Sequence, residues 1–233
     1  MKLFLIALLL ALPAQAEYKN ESEAGVVIAS GNSRSQSLSF KQDGKYLFGE
    51  KNTLGLKGAF LQSKSFGVLD AKRWDATLRY DRELNPSLSL FAAQGVESDR
   101  FAGFLQRYNS DIGPRYVIYR EEKAWDWIAE LGYRYSRERR LSGENVNKQQ
   151  ARLYTELSRS WSDTASSKLW VEYIPNFSNG TDWALNTELS TAAAISSYLS
   201  VKLAYLLKFD NQPAPGATQK RDTLYTTSLV AKF

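Results

Sequence analysis

The stretch Arg221 to Phe233, RDTLYTTSLVAKF, decides the fold. Thr223, Tyr225, Thr227, Leu229, Ala231 and Phe233 fall on one parity, and Asp222, Leu224, Thr226, Ser228, Val230 and Lys232 on the other. One face of an extended strand is therefore mostly apolar or aromatic. If such strands lie in lipid, the sheet they form has to close, because an open edge leaves backbone polar groups without partners. The last strand is then expected to pair with the first.

The chain begins MKLFLIALLLALPAQAEYK. Lys2 gives a positive start, Leu3 to Leu12 an apolar run, and Ala14-Gln15-Ala16 a small-x-small cleavage site, which is the order of a secretory signal peptide. A spanning helix needs roughly 20 apolar residues, and Pro13 ends this run well short of that. Cleavage after Ala16 is expected, with a leader over 1–16 and one folded domain over 17–233. Downstream, the longest apolar candidate lies near Ala192 to Ile195, too short for an inner-membrane helix.

The 233 residues contain neither cysteine nor histidine. That removes disulfides, thiolate metal sites and the Ser-His and His-Asp pairs on which most hydrolases depend. No cofactor, no metal and no enzymatic activity are expected. With 30 Lys and Arg against 25 Asp and Glu the net charge is +5, or +4 once Lys2 is removed. The charges are interspersed, without the basic stripe that a nucleic acid requires. At 13% aromatic residues the chain is too rich in Tyr, Phe and Trp for disorder.

Two-faced segments recur along the whole chain. The first runs from Tyr18 to Ser30, with Ala24, Val26 and Ile28 on the Tyr18 face and Lys19, Glu21, Glu23 and Gly25 opposite. Gly31-Asn32 turns it into a second, with Leu38, Phe40, Tyr46 and Phe48 against Lys41, Asp43 and Lys45. The turn from Gly49 to Asn52 leads to a third, with Leu54, Leu56, Gly58 and Phe60 outward, and Ser63 to Lys72 reads as a looser connection. The fourth sets Trp74, Ala76, Leu78, Tyr80 and Leu84 against Arg73, Asp75, Thr77, Arg79, Asp81 and Glu83, a second face that no soluble core accepts.

After the Asn85-Pro86 turn come a fifth strand (Leu88, Leu90, Ala92, Val96), a loop over Glu97 to Arg107, and a sixth strand (Tyr108, Ile112, Tyr116, Ile118). Pro114 within the sixth predicts a bulge or a frayed pairing. The seventh, Ala124 to Tyr135, alternates Trp125, Trp127, Ala129, Leu131, Tyr133 and Tyr135 with Asp126, Ile128, Glu130, Gly132 and Arg134. Ser136 to Lys148 reads as a polar loop before the eighth (Ala151, Leu153, Thr155, Leu157, Trp161). The ninth, Lys168 to Ile174, is ambiguous, since Trp170 and Ile174 compete with Leu169, Val171 and Tyr173. The tenth (Trp183, Leu185, Thr187, Leu189, Ala193) and eleventh (Leu199 to Phe209) precede a Pro- and Gly-containing loop over Asp210 to Lys220 and the C-terminal strand.

These add up to an all-β chain, an antiparallel transmembrane β-barrel of about twelve strands closed by the strand ending in Phe233. Alternation alone also fits a soluble sandwich or a lipocalin-like barrel. Strand length, the leader, and connections that read as short at the end holding both termini and longer at the other favour the membrane. Trp125, Trp127, Trp161 and Trp170 fall near one end of neighbouring strands, as an aromatic girdle does.

The alternating C-terminal strand closed by an aromatic residue resembles the signal that bacterial outer-membrane barrels present to their assembly machinery. More specifically, ESEAGVVIASGNSRSQSLSF (Glu21 to Phe40), RWDATLRYDRELNPSLSLFAAQGVESDRFAG (Arg73 to Gly103) and QRYNSDIGPRYVIY (Gln106 to Tyr119) resemble the YdiY-like family, domain-of-unknown-function family 481. That family is described as salt-induced outer-membrane proteins. The resemblance implies a barrel in the Gram-negative outer membrane with a link to salt or osmotic conditions, and it carries no catalytic motif.

The inward charges are the main functional candidates: Arg73, Asp75, Arg79, Asp81, Glu83, Glu97, Asp111, Arg115, Asp126, Glu130, Arg134, Arg152 and Glu156. In a barrel of this size, opposite signs on neighbouring strands are expected to mesh across the lumen and largely plug it. The alternative is a narrow channel for ions or small solutes lined by the same charges. The carboxylates Glu97 and Asp99, or Glu121 and Glu122, are too close in sequence to face each other across a substrate. In the loop SRERRLSGENVNK, Arg137, Arg139 and Arg140 are candidates for lipopolysaccharide phosphates. The expected partners are outer-membrane lipid and the barrel-assembly machinery, and the expected state is a monomer.

Overall fold

The computed structural model describes residues 17–29, 35–215, 217 and 219–232. The expected leader, the Gly31-Asn32 turn and the terminal Phe233 lie outside the described residues. The strands are β1 (Glu17–Ala29), β2 (Ser35–Phe48), β3 (Asn52–Ser65), β4 (Val68–Asn85), β5 (Leu88–Asp99), β6 (Phe104–Glu121), β7 (Trp125–Arg140), β8 (Asn145–Ser160), β9 (Ala165–Pro175), β10 (Trp183–Ala194), β11 (Leu199–Asp210) and β12 (Arg221–Lys232). Each pairs antiparallel with its sequence neighbours, and β12 returns to β1, so the twelve form one closed barrel.

The alternation has a direct structural meaning. Leu56, Leu78, Ile112, Leu131, Leu189, Leu203 and Tyr225 all stand exposed on the outer wall. The opposite parity carries most of the charge into the lumen. A few apolar residues share that interior and are buried there, among them Leu61, Phe91, Ile128, Ile174 and Val230. An apolar outside with a polar inside is the reverse of a soluble barrel.

Three segments that read as loops are mainly strand. Ser63 to Lys72 is the tip of the β3–β4 hairpin, turned at Phe66 (φ 52°) and Gly67 (φ 83°), two left-handed residues that match the strand twist. Glu97 to Arg107 continues as strand to Asp99 and resumes at Phe104, while Ser136 to Lys148 is strand except between Arg140 and Asn145. Their polarity misled because β4 and β6 are 18 residues long, against the roughly 9–11 that cross a bilayer, so these hairpins project past the apolar belt at the end opposite the termini. Only the joins over 176–182 and 211–220 are long among the described connections.

Pro114 acts as expected. Ile112 pairs with Tyr133 and Arg115 with Glu130, but the two intervening positions of β6 make no ladder pair with β7, while keeping theirs with β5, and the register then resumes unshifted. The strands crowd here: a Cβ on Gly113 would collide with the Leu131 carbonyl oxygen. On β9 the ambiguity resolves in favour of Leu169, Val171 and Tyr173 outward, since Leu169 pairs with the exposed Leu189.

The closing seam is the shortest contact in the ring. Among the described residues β1 and β12 share four register pairs, Glu21↔Lys232 to Ala24↔Leu229. β11 and β12 share eleven, from Leu199↔Ala231 to Phe209↔Arg221.

Candidate functional site: the charge network of the lumen

The inward faces of β4 and β6–β10 converge on one connected set of ions. Glu130, 6% exposed, accepts from Arg79 at 2.8 and 3.1 Å and from Arg152 at 2.6 Å, with Arg115 at 3.9 Å. Arg79 is also held by Asp81 at 2.7 and 2.8 Å. Arg152 continues to Glu172 at 2.6 Å, and Glu172 accepts from Arg134 at 3.2 Å and from Asn186 at 3.0 Å. Arg134 closes on Asp111 through two bonds of 2.7 and 2.8 Å. Each guanidinium thus touches a carboxylate, and the four cations (Arg79, Arg115, Arg134, Arg152) match four anions (Asp81, Asp111, Glu130, Glu172), so the mesh is self-neutral.

Phe91 is packed beneath it. The ring is 2% exposed, sits 4.2 Å from the Arg79 guanidinium carbon, and lies opposite Gly113 in the β5–β6 register. A Cβ on Gly132 would come within 3.3 Å of the ring, so this glycine makes room for it. The cationic face of the network therefore rests on an aromatic floor.

A second cluster lies toward the end opposite the termini. Arg107 bonds Glu138 at 2.6 and 2.8 Å and Glu97 at 3.3 Å, and stacks 4.0 Å over the Phe104 ring. Glu138, 2% exposed, also accepts from Arg140 at 3.0 Å. Nearby Lys148 pairs with Asp182 at 2.9 Å. Above this, the segment from Asn211 to Pro215 reaches across the mouth. The turn at Gly103 and this connection sit on opposite sides of the ring of twelve, yet Ala214 is buried and its Cβ would lie 2.9 Å from a Cβ on Gly103. Asn211 anchors the connection by donating to the Thr181 carbonyl at 2.9 Å.

A third cluster staples the seam from inside. Glu23, 4% exposed, accepts from Lys202 of β11 at 2.9 Å and from the Ser228 hydroxyl of β12 at 2.8 Å, with Lys41 of β2 at 3.7 Å. Glu188 of β10 joins Lys41 at 3.2 Å and Lys202 at 3.5 Å.

Of the charges singled out in the sequence, Arg79, Asp81, Asp111, Arg115, Glu130, Arg134 and Arg152 meet in the central network, and Glu97 joins the cluster around Arg107. Glu156 instead pairs with Lys168 at 3.4 Å and accepts from Tyr154 at 2.6 Å. Asp126 meets Arg120 at 2.9 Å where both are half exposed, and Arg73, Asp75 and Glu83 have no ion pair among the described residues.

Two assignments need correction. Trp170 does not join an outer girdle with Trp125, Trp127 and Trp161: its register partners are the inward Glu156 and Glu188, and its ring stacks on Tyr154 at 6.1 Å. Arg140 is turned inward to Glu138 and Glu144, while Arg137 and Arg139 remain exposed on the outer face. Glu172, Glu23, Glu188, Lys202, Arg107 and Glu138 were not among the functional candidates, although Glu23 falls on the polar face of the first strand. For Glu172 the missing signal was the parity of β9, and for Glu23 and Lys202 it was the closure that brings them together.

Solved structures share this architecture. The NanC porin in a rhombohedral crystal form matches at 9% identity with a TM-score of 0.55, over 92% of this chain and 98% of that one. An outer membrane channel from Pseudomonas putida F1 matches at 13% identity and 0.52, over 96% and 97%. The KdgM porin matches at 12% identity and 0.50, over 93% and 99%. At such identities the likeness is one of fold: a porin-like barrel. No curated protein matches by sequence. A family model described as a protein of unknown function, DUF481, matches residues 22–233, and the chain therefore belongs to the DUF481 family, as its resemblance implied.

Proposed function

We propose that this chain is a non-enzymatic, monomeric barrel of the Gram-negative outer membrane whose lumen is plugged by its own side chains and which serves envelope integrity or osmotic adaptation. The observation that carries the reading is the self-neutral mesh from Asp81 through Arg79, Glu130, Arg152 and Glu172 to Arg134 and Asp111. Ions of both signs that already satisfy one another offer a passing ion little. The buried Phe91 and the connection drawn over the mouth to Gly103 support occlusion. The link to salt comes from the family resemblance. In the same reading the leader is cleaved after Ala16, the C-terminal strand is recognised by the assembly machinery, and Arg137 and Arg139 meet lipopolysaccharide phosphates.

A second reading, a narrow path for ions or small solutes, is favoured by one observation. The side chains of Arg79 and Arg115 keep 22% and 27% of their exposure, so water reaches the mesh, and Lys41 of the seam cluster keeps 32%. Planar-bilayer current through the refolded protein separates the two, after a heat-dependent gel shift has established a folded barrel. The wild type is expected to be silent and R79A/R115A to conduct with a preference for cations, because Asp81 loses its partner and Glu130 keeps only Arg152 of its three. Steady steps from the wild type move the assignment to the channel; a folded double variant as silent as the wild type refutes the plug.

A further inference from the structure

We infer that the outer wall carries two sites for anionic phospholipid, in the leaflet nearest the termini, one built on Arg159 and the other on Arg82. The inference rests on the membrane reading above.

Arg159 points outward one residue before the end of β8. Its guanidinium carbon lies 3.8 Å from the Trp161 ring centroid and 4.4 Å from that of Trp125, held between two indoles. Trp161 is itself fixed, its Nε1 donating to Ser167 Oγ at 3.0 Å. Among the described residues no carboxylate lies within ion-pair distance of Arg159, and Glu121, in register with Trp125, accepts instead from the Tyr119 hydroxyl at 3.2 Å. Beside this cation opens an outward groove of about 180 Å³ whose apolar wall is Leu157, Leu169 and Leu189, one residue from each of three consecutive strands in a single register row.

Arg82 repeats the design in another sector. It points outward near the terminal end of β4, and its Nη1 donates to Asn52 Oδ1 at 2.8 Å, an oxygen that also accepts from the Tyr80 hydroxyl at 2.7 Å. It too has no carboxylate partner among the described residues. Ala92 and Pro114 leave a hollow of about 380 Å³ on the outer wall between Tyr80, Leu90 and Ile112.

A cation on a wall that faces lipid needs a counter-charge, and a planar guanidinium matches a phosphate through two parallel hydrogen bonds. A side chain that only reached for interfacial water would not need to be clamped, whereas here each guanidinium is oriented by its neighbours and has donors to spare. An apolar groove beside each one is the place for an acyl chain. Phosphate and chain together describe one occupant, a phospholipid, and the unpaired positive charge selects an anionic headgroup.

The test is native mass spectrometry of the detergent-refolded chain titrated with phosphatidylglycerol or with phosphatidylcholine of the same acyl chains. The wild type is expected to retain two phosphatidylglycerols about tenfold more tightly than phosphatidylcholine. R159Q and R82Q should each retain one, and the double variant neither above the phosphatidylcholine level. Equal retention of the two lipids by the wild type, or two phosphatidylglycerols on the double variant, overturns the inference. Should a glutamine variant fail to fold, the wild-type comparison decides alone. A wild type without a heat-modifiable barrel overturns the membrane reading, and the sites with it.

Discussion

Replacing Glu130 by alanine is the sharpest perturbation of the lumen. The carboxylate is buried and accepts three hydrogen bonds from Arg79 and Arg152 at 2.6 to 3.1 Å, with Arg115 beside it at 3.9 Å. Its removal leaves three guanidiniums around a vacated anion, relieved by Asp81, Glu172 and, at 3.9 Å, Asp111 at the edges. Breaking a buried pair from one side costs about 3–5 kcal/mol, and the water that reaches Arg79 and Arg115 places this case near the lower end, about 3 kcal/mol. With a urea slope of about 3 kcal/mol per molar, the midpoint should fall by about 1 M. E130Q keeps an acceptor and the volume and should lose less. E130M/R152M should lose less than E130A, because Arg134 still serves Glu172 and Asp81 still serves Arg79. The assay is the heat-modifiable fraction on unboiled gels across a urea series. An E130A midpoint within about 0.2 M of the wild type would refute the argument that this carboxylate ties the mesh together.

Two further outcomes follow from particular contacts. E23A leaves Lys41 and Lys202 with Glu188 as their shared anion and should destabilise the barrel by about 2–4 kcal/mol, read as a lower urea midpoint; an unchanged midpoint means the seam does not depend on the staple. G113A forces a methyl into the Leu131 carbonyl oxygen and should sharply reduce the refolded yield, whereas G180A, with nothing within 4 Å, should refold like the wild type; equal yields would refute the close approach of β6 and β7.

The strand count and most face assignments were legible because lipid outside and charge inside impose opposite chemistry on alternate residues, as on β4, where Trp74 to Leu84 alternate with Arg73 to Glu83. The alternation failed where the outer wall ceases to be apolar. Lys64, Lys72 and Arg139 stand in strand segments that project past the belt, so polarity there signals water rather than a loop. It failed again at Trp170, whose bulk suggested lipid although its parity is inward. Partnership was legible within a hairpin, as for Arg134 and Asp111, but not across hairpins. Register alone takes Arg134 of β7 to Asp111 of β6, whereas Arg79 of β4 meets Glu130 of β7 and Arg134 meets Glu172 of β9, contacts between strands that are not paired.

The seam also has a meaning in time. Joining β1 to β12 closes a loop of nearly the whole chain, the largest entropy loss of any contact in the ring, and is repaid by four ladder pairs among the described residues, while each hairpin closes locally and gains more. A curved sheet of twelve strands should therefore form first and meet its own edge last. Interactions made only in that final step, such as Lys202 and Ser228 with Glu23, scarcely change how fast the sheet grows. They set how long the closed ring survives, so the lifetime of this barrel is governed by a few residues drawn from the two ends of its sequence.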